Sequence, residues 1–111
     1  MDYAKYMISK EKQNEAQLPL ARDVLNSFLK DCDRILDVGC GTGWFLWACR
    51  EAARKGVGLD YDAKLVSHCR KKGYEVVCAS SAKMPFKTNS FDGVFSFSLL
   101  EHLASEDLFS T

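Results

Sequence analysis

A predominance of either charge is missing from this chain. Lysine plus arginine number 15, aspartate plus glutamate number 15, and the formal net charge over 111 residues is zero. That balance argues against a protein held to nucleic acid or to a membrane surface by bulk charge. Proline is scarce, with two residues, and no internal repeat or low-complexity segment interrupts the chain. No apolar run approaches the length of a membrane span, and Met1-Asp2-Tyr3-Ala4-Lys5-Tyr6 lacks the apolar stretch of a signal peptide. The expectation is a cytoplasmic protein with no membrane partner. Cys32, Cys40, Cys49, Cys69 and Cys78 include no C-x-x-C pair, which excludes the common metal-ligand spacing and a dense disulfide framework. Reduced, mostly buried thiols and no metal site are expected.

Apolar residues are plentiful, at 47%. Such a chain buries a real core, and its length suits at most one domain. Residues 1–17 are polar and charged, with Tyr3, Tyr6, Met7 and Ile8 as the sizeable apolar anchors. They read as an extended or loosely helical arm able to fold over the domain formed by residues 18–111. From Leu18, the positions Ala21, Val24, Leu25, Phe28 and Leu29 share one helical face, with Pro19 tolerated in the first turn. Asp31-Cys32-Asp33 ends that helix, and a strand of about Arg34 to Val38 follows.

A second helix is expected from about Trp44 to Arg54, with Arg54 and Lys55 at its negative end and Gly56 closing it. A second strand, Val57 to Asp60, precedes a third helix capped by Asp62 and stopped at Gly73. A third strand spans Glu75 to Cys78, and a fourth runs from about Phe91 to Phe97 and leads into another helix. Strands alternating with helices predict an α/β fold, a parallel sheet with right-handed crossovers.

The segment Ile35-Leu36-Asp37-Val38-Gly39-Cys40-Gly41-Thr42-Gly43 carries the chemistry. A buried strand enters a turn built largely of glycine, and a helix leaves it. Glycine is needed where the backbone takes positive φ and a ligand approaches the main chain. The helix N-terminus beyond favours an anionic group, a phosphate or a carboxylate. Asp37 in a buried strand is costly unless it meets backbone N–H groups or a cationic ligand. Asp60, at the end of the second strand, suits the two hydroxyls of a ribose. The bland alternative, a tight turn with no ligand, requires neither three glycines nor two aligned carboxylates. A nucleotide oxidoreductase is disfavoured because the spacing is G-x-G-x-G and not the dinucleotide G-x-G-x-x-G. The acid just before the glycines favours a ligand whose amino group meets Asp37.

ILDVGCGTG, then GVGLD, MPF with SFD, and LLEHL together resemble the class I S-adenosylmethionine-dependent methyltransferases, in the branch that includes quinone-biosynthesis enzymes. The resemblance covers about residues 18 to 103. It implies a Rossmann-like sheet of order 3-2-1-4 and S-adenosyl-L-methionine as cofactor, its methionine part over Gly39, Cys40, Gly41, Thr42 and Gly43. It further implies the ribose on Asp60, Tyr61 beside the adenine, and the Ser96–Ser98 strand end near the reacting methyl group. Family members often carry an acid in the turn after the third strand. Here Ser80 stands in that place, so weaker adenine anchoring is expected, with backbone groups of Ser81 or Ala82 taking over.

A methyl group on a sulfonium is already activated, so positioning supplies much of the rate. A hydroxyl or carbon nucleophile needs a base. His102, after Glu101, is the weak catalytic candidate, while His68 beside Lys64, Arg70 and Lys71 reads as part of a solvated face. Trp47 reads as packing, and Trp44 either as packing or as a border of the ligand. Cys40 is not expected to be reactive, and Phe86 and Phe91 read as core bracing. The neutral charge favours a small-molecule acceptor over RNA or DNA. A complete family member has a larger sheet than the four strands read here. The expectation is therefore a cofactor-binding half, truncated or completed by another chain, with an open edge for self-association or a partner. A non-catalytic cofactor-binding or interaction module is the alternative.

Overall fold

In the computed structural model, which describes residues 2–87 and 89–97, the segment read as an extended or loosely helical arm is helical. Asp2 caps α1 (Tyr3–Ser9), accepting from the Lys5 N–H at 3.1 Å. A short α2 (Glu11–Asn14) and a 3-10 turn (Glu15–Gln17) follow, and then α3 (Leu18–Asn26) with Pro19 in its first turn. The expected continuation of α3 to Asp31 does not form, and Phe28 is 88% exposed.

Next come β1 (Arg34–Val38), α4 (Trp44–Glu51), β2 (Lys55–Asp60), α5 (Ala63–Lys71), β3 (Glu75–Cys78) and β4 (Gly93–Phe95). The four strands form one parallel sheet in the order β3-β2-β1-β4. Asp37 of β1 lies between Gly58 of β2 and Phe95 of β4. The fourth strand is thus shorter than the expected Phe91 to Phe97. Residues 98–111, which include Ser98, Glu101 and His102 and the expected last helix, lie outside the described residues.

Side chains of a strand alternate between faces, and the three apolar clusters follow that alternation. Ile35 and Phe95 pack with Ala21, Leu25, Phe45 and Cys49 from α3 and α4. Phe45 and Phe95 stack with ring centroids 3.9 Å apart. On the same face, Leu46 of α4 and Val66 and Cys69 of α5 enclose Cys40 and Val76. On the other face Leu36, Val38, Val57 and Leu59 are covered by Ala79, Phe86 and Phe91. The Phe86 and Phe91 rings meet edge to face at 4.9 Å, so the loop after β3 is braced as expected.

Two local expectations are corrected. Gly56 does not close α4 but lies within β2, facing the helix, where a Cβ would sit 3.1 Å from Leu46 Cδ2 and from Cys49 Cβ. Ala53, at φ 58°, takes the left-handed turn after α4 instead. Arg54 does not serve its own helix either. Its guanidinium donates to the carbonyls of Leu29 (2.6 Å), Cys32 (2.7 Å) and Lys30 (3.0 Å), closing the end of the α3–β1 connection. By contrast Asp62 caps α5 as read, accepting from the Lys64 N–H at 2.9 Å, and the chain turns at Gly73 with φ 89°.

Candidate functional site

The turn after β1 places Gly39, Gly41 and Gly43 at φ 75°, 57° and 94°, the left-handed region that side chains disfavour. Its amides are used inside the fold. Gly39 and Cys40 both donate to the Leu59 carbonyl, at 2.7 and 3.1 Å, and Gly43 donates to the Cys40 carbonyl at 3.0 Å. The Gly41 N–H donates to Asp60 Oδ2 at 3.0 Å. Four N–H groups of the turn, those of Gly39, Cys40, Gly41 and Gly43, thus have partners within the fold.

Further contacts fix the turn from outside. The Cys69 thiol donates to the Gly41 carbonyl at 3.1 Å, and Lys72 Nζ reaches the Thr42 carbonyl at 3.3 Å. Asn14 Nδ2 donates to Thr42 Oγ1 at 3.1 Å, which ties the N-terminal segment to the turn. That segment is also ion-paired to α5. Asp2 meets Lys64 at 2.6 Å, and Glu11 meets both His68, at 3.2 Å, and Lys72. His68 is thus a partner of Glu11 and not part of a solvated face.

Two cavities of about 230 Å³ each flank the corner Gly39–Gly41, and both are roofed by Tyr3 and Met7 of α1. The first runs past Asp60, Tyr61, Ala79, Ser81 and Ser96. The second runs past Asp37, Cys40, Trp44 and Phe97, with Asn14 and Gln17 from the N-terminal segment. They form the two halves of one crevice over the ends of β1 and β2. A larger cavity of about 570 Å³ lies on the far side of the turn, between Glu11–Leu18, Trp47 and Lys72–Tyr74. It contains the Glu11–Lys72 ion pair and neither Asp37 nor Asp60, so its size does not make it the site of chemistry.

The crevice has a carboxylate in each half, and they differ. Asp60 has both oxygens engaged once, Oδ1 by the Asp62 N–H at 2.9 Å and Oδ2 by Gly41. A carboxylate offers about four acceptor positions, so two stay open for donors in the crevice. Asp37 is 3% exposed, and burial holds its pKa well above the ordinary carboxylate value, with the Cys69 thiol and Asp60 adding to the rise. Among the described residues no donor offsets that burial. A cationic donor arriving in the second cavity would. The Cys40 thiol is raised by its hydrogen bond to Cys69 and by burial, which makes it a poor nucleophile, as expected.

Of the residues singled out in the sequence, Asp37, Gly39, Cys40, Gly41, Asp60, Tyr61, Ser81 and Ser96 line the crevice. Thr42 and Gly43 face the far cavity instead. The Ser80 hydroxyl accepts from the Ala82 N–H at 3.1 Å, a local turn, and neither residue lines the crevice. Trp44 borders the second cavity and Trp47 packs against the α3–α4 core, as read. Tyr3 and Met7, read as anchors of an arm able to fold over the domain, lie over the crevice, whereas Asn14 and Gln17 are not signalled by the sequence. The helical spacing of Tyr3, Tyr6 and Met7 was a signal for an amphipathic segment, but nothing local says where it docks.

A family model described as a methyltransferase domain matches residues 36–110. A probable tRNA methyltransferase 9B of Bos taurus is 33% identical over 72 residues, covering 65% of this chain and 16% of that protein. A probable S-adenosylmethionine-dependent methyltransferase of Mycolicibacterium smegmatis is 34% identical over 71 residues, covering 62% of this chain and 28% of its own length. The crystal structure of a putative S-adenosyl-L-methionine-dependent methyltransferase from Methanococcus maripaludis superposes with a TM-score of 0.74 at 20% identity, covering 84% of this chain and 48% of that one. The chain spans less than half of each of these proteins.

Proposed function

The chain belongs to the class I S-adenosylmethionine-dependent methyltransferases, and from that premise we propose that its crevice binds S-adenosylmethionine for methyl transfer to a small-molecule acceptor. The observation that carries the reading is the pair of unlike carboxylates in one crevice. Among the described residues Asp37 is buried with no offsetting donor, while Asp60 is held in place with acceptor positions to spare.

These residues fit the cofactor. Asp60 would accept the two ribose hydroxyls of an adenosine half in the first cavity, and Tyr61 would lie beside its base. Tyr61, 82% exposed, is free to cover a base laid against it. Ser81 lies along the same wall, and Ser80 and Ala82 support it through their turn. Asp37 would hold the ammonium group of an amino-acid half in the second cavity, which would relieve the burial of its carboxylate. Gly39, Cys40 and Gly41 allow close approach at the corner, while Thr42 and Gly43 fix the turn from behind. Ser96 marks the end nearest the acceptor.

The cofactor, when bound, supplies an activated methyl group on a sulfonium. This chain's residues orient it: the glycine corner sets the bend between the halves, and Tyr3 and Met7 exclude water from above. His68, engaged with Glu11, has no part in the crevice.

The balanced charge supports a small acceptor, since no excess of basic groups is present to hold a polyanion. A second reading, an RNA acceptor, is favoured by the relative named as a probable tRNA methyltransferase. Incubation with methyl-tritiated S-adenosylmethionine and a cell extract separates the two. Label in the low-mass fraction is expected, and label in ribonuclease-sensitive material would overturn the small-molecule reading.

A further inference from the structure

Among the described residues the carbonyl oxygen Oε1 of Gln17 is a buried side-chain acceptor without a hydrogen-bond partner. Buried acceptors are ordinarily satisfied, so an orphan of this kind asks for a donor. Gln17 closes the 3-10 turn Glu15–Gln17 and lines the same cavity as Asp37, Gly39 and Cys40. Its place there is no accident of a loose terminus. Asn14, three residues earlier, is bonded to Thr42 Oγ1 at 3.1 Å, so the segment that carries Gln17 is fastened to the glycine turn.

The cavity is rich in acceptors and aromatic rings. Asp37 contributes a carboxylate, Gln17 an amide carbonyl, and Tyr3, Trp44 and Phe97 contribute ring surface. A cluster of acceptors beside aromatic faces suits an alkylammonium group, which has three N–H donors and a charge that rings attract. An anionic group, or one without N–H or O–H donors, would leave the acceptors unmatched.

We propose that Gln17 binds the ammonium group of the cofactor's amino-acid end, accepting one N–H while Asp37 accepts another. The inference rests on the cofactor reading above and adds to it a contact from outside the glycine motif. Gln17 thereby makes the N-terminal segment part of the cofactor site, and it selects for ligands that keep the amino acid.

The test compares S-adenosylhomocysteine with 5′-methylthioadenosine, which shares the adenosine and lacks the amino acid. Titration calorimetry of Gln17→Leu should show S-adenosylhomocysteine weakened by roughly tenfold or more, the scale of one charge-assisted hydrogen bond. Binding of 5′-methylthioadenosine should be unchanged. Gln17→Glu keeps an acceptor at the position and should bind S-adenosylhomocysteine at least as tightly as the wild type. Thermal melts of both variants confirm folding, and Gln17→Leu should melt no lower than the wild type because it removes an orphaned acceptor. Unchanged S-adenosylhomocysteine affinity in Gln17→Leu, or equal weakening of both ligands, overturns the inference while leaving the cofactor reading intact. A folded wild-type chain that binds neither ligand overturns the cofactor reading itself.

Discussion

The Asp60 carboxylate accepts the Gly41 N–H at 3.0 Å, so the end of β2 holds the glycine turn that follows β1. Its other oxygen accepts the Asp62 N–H at 2.9 Å and shapes the entry to α5. One side chain thus sets two backbone segments and still faces the crevice. Asp60→Ala leaves both N–H groups without that partner and should cost roughly 1–3 kcal/mol in urea unfolding. Asp60→Asn keeps one acceptor oxygen and should lose less. Both variants should bind S-adenosylhomocysteine at least about tenfold more weakly, because the ribose contact goes with the carboxylate.

Asp37 should govern the pH dependence of stability and of binding. Burial raises its pKa well above 3.8, the ordinary value. Between 3.8 and the raised value, the native chain holds a proton that the unfolded chain has released. Stability therefore falls as pH rises through that window. Asp37→Asn removes the effect, so its melting temperature should exceed that of the wild type by a margin that grows with pH and then levels. An ammonium ligand prefers the ionised carboxylate, so affinity for S-adenosylhomocysteine should rise with pH across the same window. In Asp37→Asn it should be weak and flat. Thermal melts and calorimetry from about pH 5 to about pH 9 check both signs. A melting-temperature difference that does not vary with pH would count against the assignment.

Much of this was legible in the chain itself, where the signal is local. Asp62 before a periodic apolar segment announces a cap, and the short run Glu75–Cys78 has the bounds of the strand it forms. The G-x-G-x-G turn and Asp60 mark the crevice. What escaped depends on contacts between distant segments. Gly56 reads as a helix end, yet it is glycine because α4 crosses β2 there at close range. The amides of Gly39, Cys40 and Gly41 find their partners, Leu59 and Asp60, only when β2 lies beside β1. Asn14 and Gln17 enter the site only because the N-terminal segment, anchored by Tyr3 and Met7, folds back over it.

Gly43 and Gly73 make a matched pair for testing the turn. Both are left-handed, at φ 94° and 89°, but a Cβ on Gly43 would lie 2.9 Å from Tyr74 Cε2, while a Cβ on Gly73 would meet nothing within 4 Å. Gly73→Ala should therefore cost only the backbone strain, about 1 kcal/mol. Gly43→Ala adds an overpacked contact and should cost about 1–3 kcal/mol more. Denaturant unfolding of the two variants measures the difference directly. Equal losses would mean that Tyr74 moves aside freely.

Arg54 offers a variant that separates stability from binding. Its guanidinium satisfies the carbonyls of Leu29, Lys30 and Cys32, away from both halves of the crevice. Arg54→Met should destabilise the chain by roughly 2–3 kcal/mol through lost charge-assisted hydrogen bonds. Arg54→Lys should recover only part, since an ammonium lacks the planar fork. Affinity for S-adenosylhomocysteine, measured below the melting temperature, should match the wild type in both.

The central claim is that the crevice holding Asp37 and Asp60 binds the cofactor. Titration of the wild-type chain with S-adenosylhomocysteine in a calorimeter tests it most directly. Saturable binding of one ligand per chain is predicted, abolished or strongly weakened by Asp60→Ala and by Asp37→Asn. A folded chain that gives no binding heat at millimolar ligand, at more than one temperature, would contradict it.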